Sequence, residues 1–311
     1  NPVRRWIVSS WVDLILIILT PLLAIPTILL LSSSRVGVRA ETISLVVTAF
    51  FATGHHLPGL IRAYGDHELF QRFRWRFLLA PPLVFLAYFP LSTYHFDLYR
   101  LIILSWATWH GLMQLYGFVR IYDSKVGSVS RITANLDWLV CLCGFVMPQL
   151  LRPETLSRFL GHWYALGGAV ISIRSLETLR WSAIGVSVAV LMSFTVNYLI
   201  QLYRGPKPSP LKLLMLVSGI GMWWFSMLFI DNLILGVALF DICHDVQYLA
   251  IVWLFNNRRV NANPNIGRFM RLVFRRGMVL LYLGLIVAYG AIGLTASQSL
   301  DGTVNSVAYA V

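Results

Sequence analysis

The chain has 311 residues, of which 58% are hydrophobic and only 12% charged, with a mean hydropathy of +0.71. Water-soluble domains carry roughly a quarter charged residues, so half that share leaves too little polar surface to cover a soluble body. The formal charge of +12 does not point to a nucleic-acid partner. Its basic residues border apolar runs, where they set topology and meet anionic lipid headgroups.

A bilayer admits only helices or closed barrels, because backbone polar groups find no water there. The apolar runs are continuous rather than alternating, and about 20 residues long, the length of a crossing helix. The expected fold is therefore all-α: a polytopic integral membrane helix bundle, with residues 1–311 forming a single transmembrane domain. In chain order the predicted crossings run over about 11–31, 41–61, 77–94, 99–119, 135–151, 181–203, 211–231, 233–257 and 277–295. The apolar stretch 162–173 is too short to cross and reads as a re-entrant or interfacial helix. Residues 66–77 mix arginines with aromatics and are expected to lie along the inner headgroup region. The loop at 204–210, rich in proline, is a stiff connector.

Nine crossings with a cytoplasmic N-terminus place eighteen of the 25 basic residues inside. Only Arg35, Arg39, Arg100, Arg152, Arg158, Arg174 and Arg180 then lie outside, which satisfies the positive-inside rule. The expected location is a bacterial inner membrane, with the C-terminus at Val311 outside.

Ionisable groups at mid-bilayer cost about 2.5–3.5 kcal/mol on insertion scales, so they mark cavities, partners or metals. Four of the seven histidines fall within predicted crossings. His55 and His56 sit in Thr-Gly-His-His-Leu-Pro-Gly, His110 follows Trp109, and His244 lies in Phe-Asp-Ile-Cys-His-Asp-Val-Gln-Tyr. The charge-derived topology gives all four a common mid to inner depth. Asp241, His244, Asp245, Gln247 and Tyr248 share one helical face, as do Trp106, His110, Gln114 and Gly117. Neutral imidazole is the commonest metal ligand, and its second nitrogen usually donates to a carboxylate or carbonyl. His55, His56, His110, His244, Asp241 and Asp245 are thus the candidate metal residues. Each of these histidines could instead be an interhelical hydrogen-bonding group. Cys141, Cys143 and Cys243 lie in apolar runs and read as buried free thiols. Asp231-Asn232 reads as an outer turn, and Asn197 as a hydrogen-bonding residue between helices.

Histidine and carboxylate without thiolate suit non-haem iron better than zinc. Intramembrane histidines on separate crossings, beside acidic residues, resemble the bacterial Brp/Blh β-carotene cleavage dioxygenases. The resemblance rests on the polytopic layout and on His55/His56, His110 and His244. It implies histidine-bound iron acting with O₂ on a lipid or carotenoid-like substrate. A cavity lined by Trp106, Trp109, Met113 and Tyr248 would then be expected to receive that substrate. The His-x3-His and His-x2-His-His clusters of membrane desaturases do not occur. Two further classes stay open: a haem-binding electron-transfer subunit with paired axial histidines, and a transporter or non-catalytic subunit with membrane protein partners.

Overall fold

The computed structural model describes residues 5–205, 207–263 and 266–299, with side chains through residue 295. Among the described residues the fold is helical, without a strand. The helices are α1 (Ser10–Ile18), α2 (Thr20–Ser32), α3 (Ala40–Gly65), α4 (His67–Tyr94), α5 (Phe96–Lys125) and α6 (Arg131–Leu151). They continue with α7 (Pro153–Ala165), α8 (Ile173–Arg204), α9 (Pro210–Phe229), α10 (Leu233–Ala262), α11 (Arg268–Phe274) and α12 (Val279–Ser299). Arg4, one of the eighteen basic residues expected inside, and Val311 lie outside the described residues.

Among the described residues six helices are long and apolar enough to cross a membrane: α3, α4, α6, α8, α9 and α10. Two bent pairs, α1 with α2 (44°) and α11 with α12 up to Thr295 (101°), raise the number to as many as eight. The predicted run 99–119 falls within α5, whose apolar character His110 and Gln114 dilute. The short helix expected at 162–173 is displaced toward the N-terminus. Pro153 starts α7, its missing N–H and fixed φ being suited to a first turn. Gly167, at φ 79°, closes it, and residues 166–172 are turn and extended chain.

Other boundaries follow local chemistry. Asp66 caps α4 by accepting from the Leu69 N–H at 3.3 Å. Ser172 caps α8 through the Ser175 N–H at 3.1 Å, and Asn232 accepts from the Leu235 N–H at 3.1 Å. Each cap satisfies a donor that a helix start leaves unpaired. Asp231-Asn232 is indeed the turn between α9 and α10. Inside α4, Phe73 departs from helical geometry (φ −123°, ψ 22°), with Arg72 before it and Arg74 and Arg76 after it.

The chain divides into two compact units, one of Asn1–Leu30 with Leu104–Phe240, the other of Leu31–Ile103 with Asp241–Val311. In the first, Phe145 stacks on Trp223 at 5.1 Å, with Phe240 edge-on to both. The Trp223 and Trp224 indoles donate to the carbonyls of Phe145 (2.9 Å) and Gly144 (2.8 Å), joining α9 to α6. In the second, Ile61, Leu249, Met270, Val273, Phe274, Tyr282 and Ile286 form a buried cluster. The Tyr282 hydroxyl donates to the Leu249 carbonyl at 3.0 Å, and the Asn257 amide to the Phe274 carbonyl at 2.7 Å.

Candidate metal centre

The second unit builds its polar centre on α3 and α10. From Thr48 to Thr53, α3 winds as a π-helix, then turns at Gly54 before His56 begins a regular segment. Such π-bulges rotate the following side chains out of α-helical phase and occur frequently at functional sites. Two glycines admit this turn to α12. A Cβ on Gly290 would overlap the Ala49 carbonyl oxygen, and one on Gly54 would come within 2.6 Å of Ile286. The close approach sets the position at which His55 leaves the π turn.

His55 is buried, whereas its neighbour His56 is exposed with its ring 4.2 Å away. His55 Nδ1 lies 3.0 Å from Asp245 Oδ1 and 3.3 Å from the Phe51 carbonyl oxygen. Both neighbours are acceptors, so in the neutral ring the proton belongs on Nδ1 and Nε2 is the acceptor nitrogen. A carboxylate that fixes an imidazole tautomer in this manner is the usual support of a metal-ligating histidine. His244 stands edge-on to His55 with ring centroids 5.8 Å apart, and Tyr248 likewise at 5.4 Å. A ring nitrogen of His55 and one of His244 lie within 4.8 Å of each other. Two metal–nitrogen bonds of about 2.0–2.1 Å each span at most about 4.2 Å, so a shared ion would draw the two rings to that distance or less.

The shared face expected on α10 is present: His244, Asp245 and Gln247 are buried, with Asp241 and Tyr248 half-buried. Tyr248 packs closely over Gly59, where an added Cβ would meet its hydroxyl at 3.3 Å. In the first unit, half-buried His110 stacks with Trp106 at 6.4 Å, while Trp106 and Trp109 are exposed on α5. Cys141, Cys143 and Cys243 are free.

A second charged centre escaped the sequence reading. In the first unit, Arg120 reaches Asp137 at 2.7 Å and Asp123 at 3.1 Å. Lys212 reaches Asp137 at 2.6 Å and Asp123 at 2.8 Å. Both carboxylates are wholly buried and Lys212 is 1% exposed. The network continues through Arg120 to the Ser128 carbonyl, Ser128 to Gln201, and Gln201 to Thr133, where Asn197 also donates at 3.1 Å. Asn197 thus plays the interhelical role expected of it. By sequence alone Arg120 and Lys212 are two of the eighteen basic residues expected to set topology from the inner side. The signal available was the presence of Asp123 and Asp137 at the same end of the predicted crossings. Arg152, counted among the outer basic residues, is also buried and donates to the carbonyls of Met227, Ile230 and Asp231 at the end of α9.

No protein-family model, curated protein or solved structure matches this chain. The chemistry therefore rests on the side chains themselves. An oriented imidazole, a second imidazole beside it and a buried carboxylate form a donor set suited to a borderline or hard metal.

Proposed function

We propose that this chain is a membrane-embedded metalloprotein whose histidines hold a non-haem iron for O₂-dependent oxidation of an apolar, lipid or carotenoid-like substrate. The observation that carries the reading is His55, its Nδ1 held by Asp245 and the Phe51 carbonyl, beside His244. His55 and His244 together offer two ring nitrogens to a metal ion. His110 enters as the proposed third imidazole on the common depth derived from the charge pattern. Iron held by such a set would supply the oxidising chemistry toward a hydrocarbon. Asp245 keeps the His55 ring in one tautomer and one orientation. Tyr248 closes one side of His55, and exposed Trp106 and Trp109 give an apolar substrate an aromatic surface reached directly from the bilayer. The layout resembling Brp/Blh dioxygenases favours the same substrate class.

The reading includes nine crossings, with α5 as the crossing additional to the eight apolar candidates and α7 as the interfacial or re-entrant helix. It places the N-terminus in the cytoplasm of a bacterial inner membrane. Detergent-purified, iron-loaded protein incubated with membrane lipid extracts under air and under argon tests the function. An oxygen-dependent product, lost on chelation and in His244→Ala, is the expected result. A reducible haem spectrum without such a product would replace this reading with electron transfer. Absence of both metal and product would leave a transporter or a non-catalytic subunit of a larger complex.

A further inference from the structure

One end of the second unit is strongly basic, and its acids are already engaged. Arg259, from the end of α10, pairs with Asp66 at 2.7 Å and Glu68 at 3.3 Å, which ties α10 to the start of α4. Gly65, at the end of α3, lies against α11, where an added Cβ would meet the Met270 side chain at 3.2 Å. The first turns of α4 and the whole of α11 are thereby gathered at this end. They and the turn that follows α11 carry Arg72, Arg74, Arg76, Arg268, Arg275 and Arg276, all exposed. The other described acids of the unit are elsewhere: Glu41 pairs with Arg39, Asp97 opens α5, and Asp241 and Asp245 belong to the polar centre.

The same surface is apolar between its charges. Helix α11 buries Met270, Val273 and Phe274 but leaves Phe269 53% and Leu272 55% exposed. Gly277, at φ 83°, allows the chain to turn so that α11 lies 101° from α12. If α12 runs along the membrane normal, α11 lies in the membrane plane. Trp75 is 62% exposed, and the guanidinium of Arg74 lies 5.1 Å from its ring centroid. Arg72 and Arg76 flank the Phe73 ring at 5.2 and 5.4 Å. Alternating guanidinium and apolar groups fit a surface that is phosphate above and hydrocarbon below.

We propose that the start of α4 and helix α11 form a binding surface for the headgroups of anionic phospholipids. The arginines take the phosphates, and Phe269, Leu272 and Trp75 enter the acyl boundary. Neutral phospholipid satisfies the apolar half but lacks the net charge.

The test reconstitutes the full chain into nanodiscs of phosphatidylcholine with a graded share of phosphatidylglycerol. Spin-labelled lipid of each type then reports the immobilised fraction. Phosphatidylglycerol should be retained in preference, by up to roughly fivefold for each arginine that reaches the surface, and the preference should fall with added salt. Two triple variants, Arg72→Gln/Arg74→Gln/Arg76→Gln and Arg268→Gln/Arg275→Gln/Arg276→Gln, should each lower it. The salt titration of the wild type decides the matter even where a variant fails to fold. Equal retention of the two lipids, or a preference insensitive to salt, overturns the proposal. Displacement of the labelled lipid by millimolar inorganic phosphate would identify a free-anion site instead and also overturn it.

Discussion

An imidazole whose Nδ1 faces a carboxylate oxygen at 3.0 Å and a carbonyl oxygen at 3.3 Å has only one neutral tautomer that suits its surroundings. Asp245 is therefore a positioning residue for His55, and the two substitutions should differ in size. His55→Ala should abolish metal retention, whereas Asp245→Asn should weaken it by about 10–100-fold, as read by competition with a chelator. The ion cluster of the first unit gives a separate test. Lys212→Met leaves two buried carboxylates sharing Arg120, and losing one partner of a buried pair costs about 3–5 kcal/mol. A marked fall in the thermal midpoint in detergent is expected. The double variant Asp137→Asn/Lys212→Met should recover part of it, since it removes opposite charges together. Equal midpoints for Lys212→Met and wild type would show that the cluster contributes nothing to stability.

Helix α3 shows how an element can place a residue that periodicity alone does not locate. Thr-Gly-His-His-Leu-Pro-Gly announces an interruption, because glycine and proline weaken a helix. It does not announce the π turn of Thr48–Thr53, which lies in an ordinary apolar run and depends on contact with α12. The choice between His55 and His56 was illegible for the same reason: adjacent residues exchange faces when one extra residue enters a turn. On α10, by contrast, unbroken spacings of three and four made the face of His244, Asp245 and Tyr248 readable. Gly290→Val should force α12 away from the Ala49 carbonyl, displace the π turn and lower metal retention more than it lowers helicity. Gly284→Val, where an added Cβ meets nothing within 4 Å, is the control. Matching metal retention in the two variants would disconnect the π turn from the centre.

Across the whole molecule, the helical class and most of the apolar helices follow from composition, since a chain so poor in charge has few other ways to satisfy its backbone. What composition could not separate is a charge that contacts water or lipid from one consumed inside. Arg120, Lys212 and Arg152 carry the same hydropathy as exposed arginines and lysines, yet each is committed to buried partners. Discounting the first two still leaves more basic residues on the inner side of the proposed topology than on the outer. Reporters inserted after residue 208 and after Ala262 should read cytoplasmic, and one inserted at Ser34 should read the opposite side. The same side for all three would overturn the nine-crossing topology. The central claim is that His55 and His244 belong to a metal centre. Elemental analysis with an absorption spectrum, on detergent-purified wild type and on His55→Ala and His244→Ala, tests it most directly. The account predicts iron bound in the wild type without a haem Soret band, and little or none in either variant. Wild type without metal after iron loading, or both variants retaining it at wild-type stoichiometry, would contradict the account.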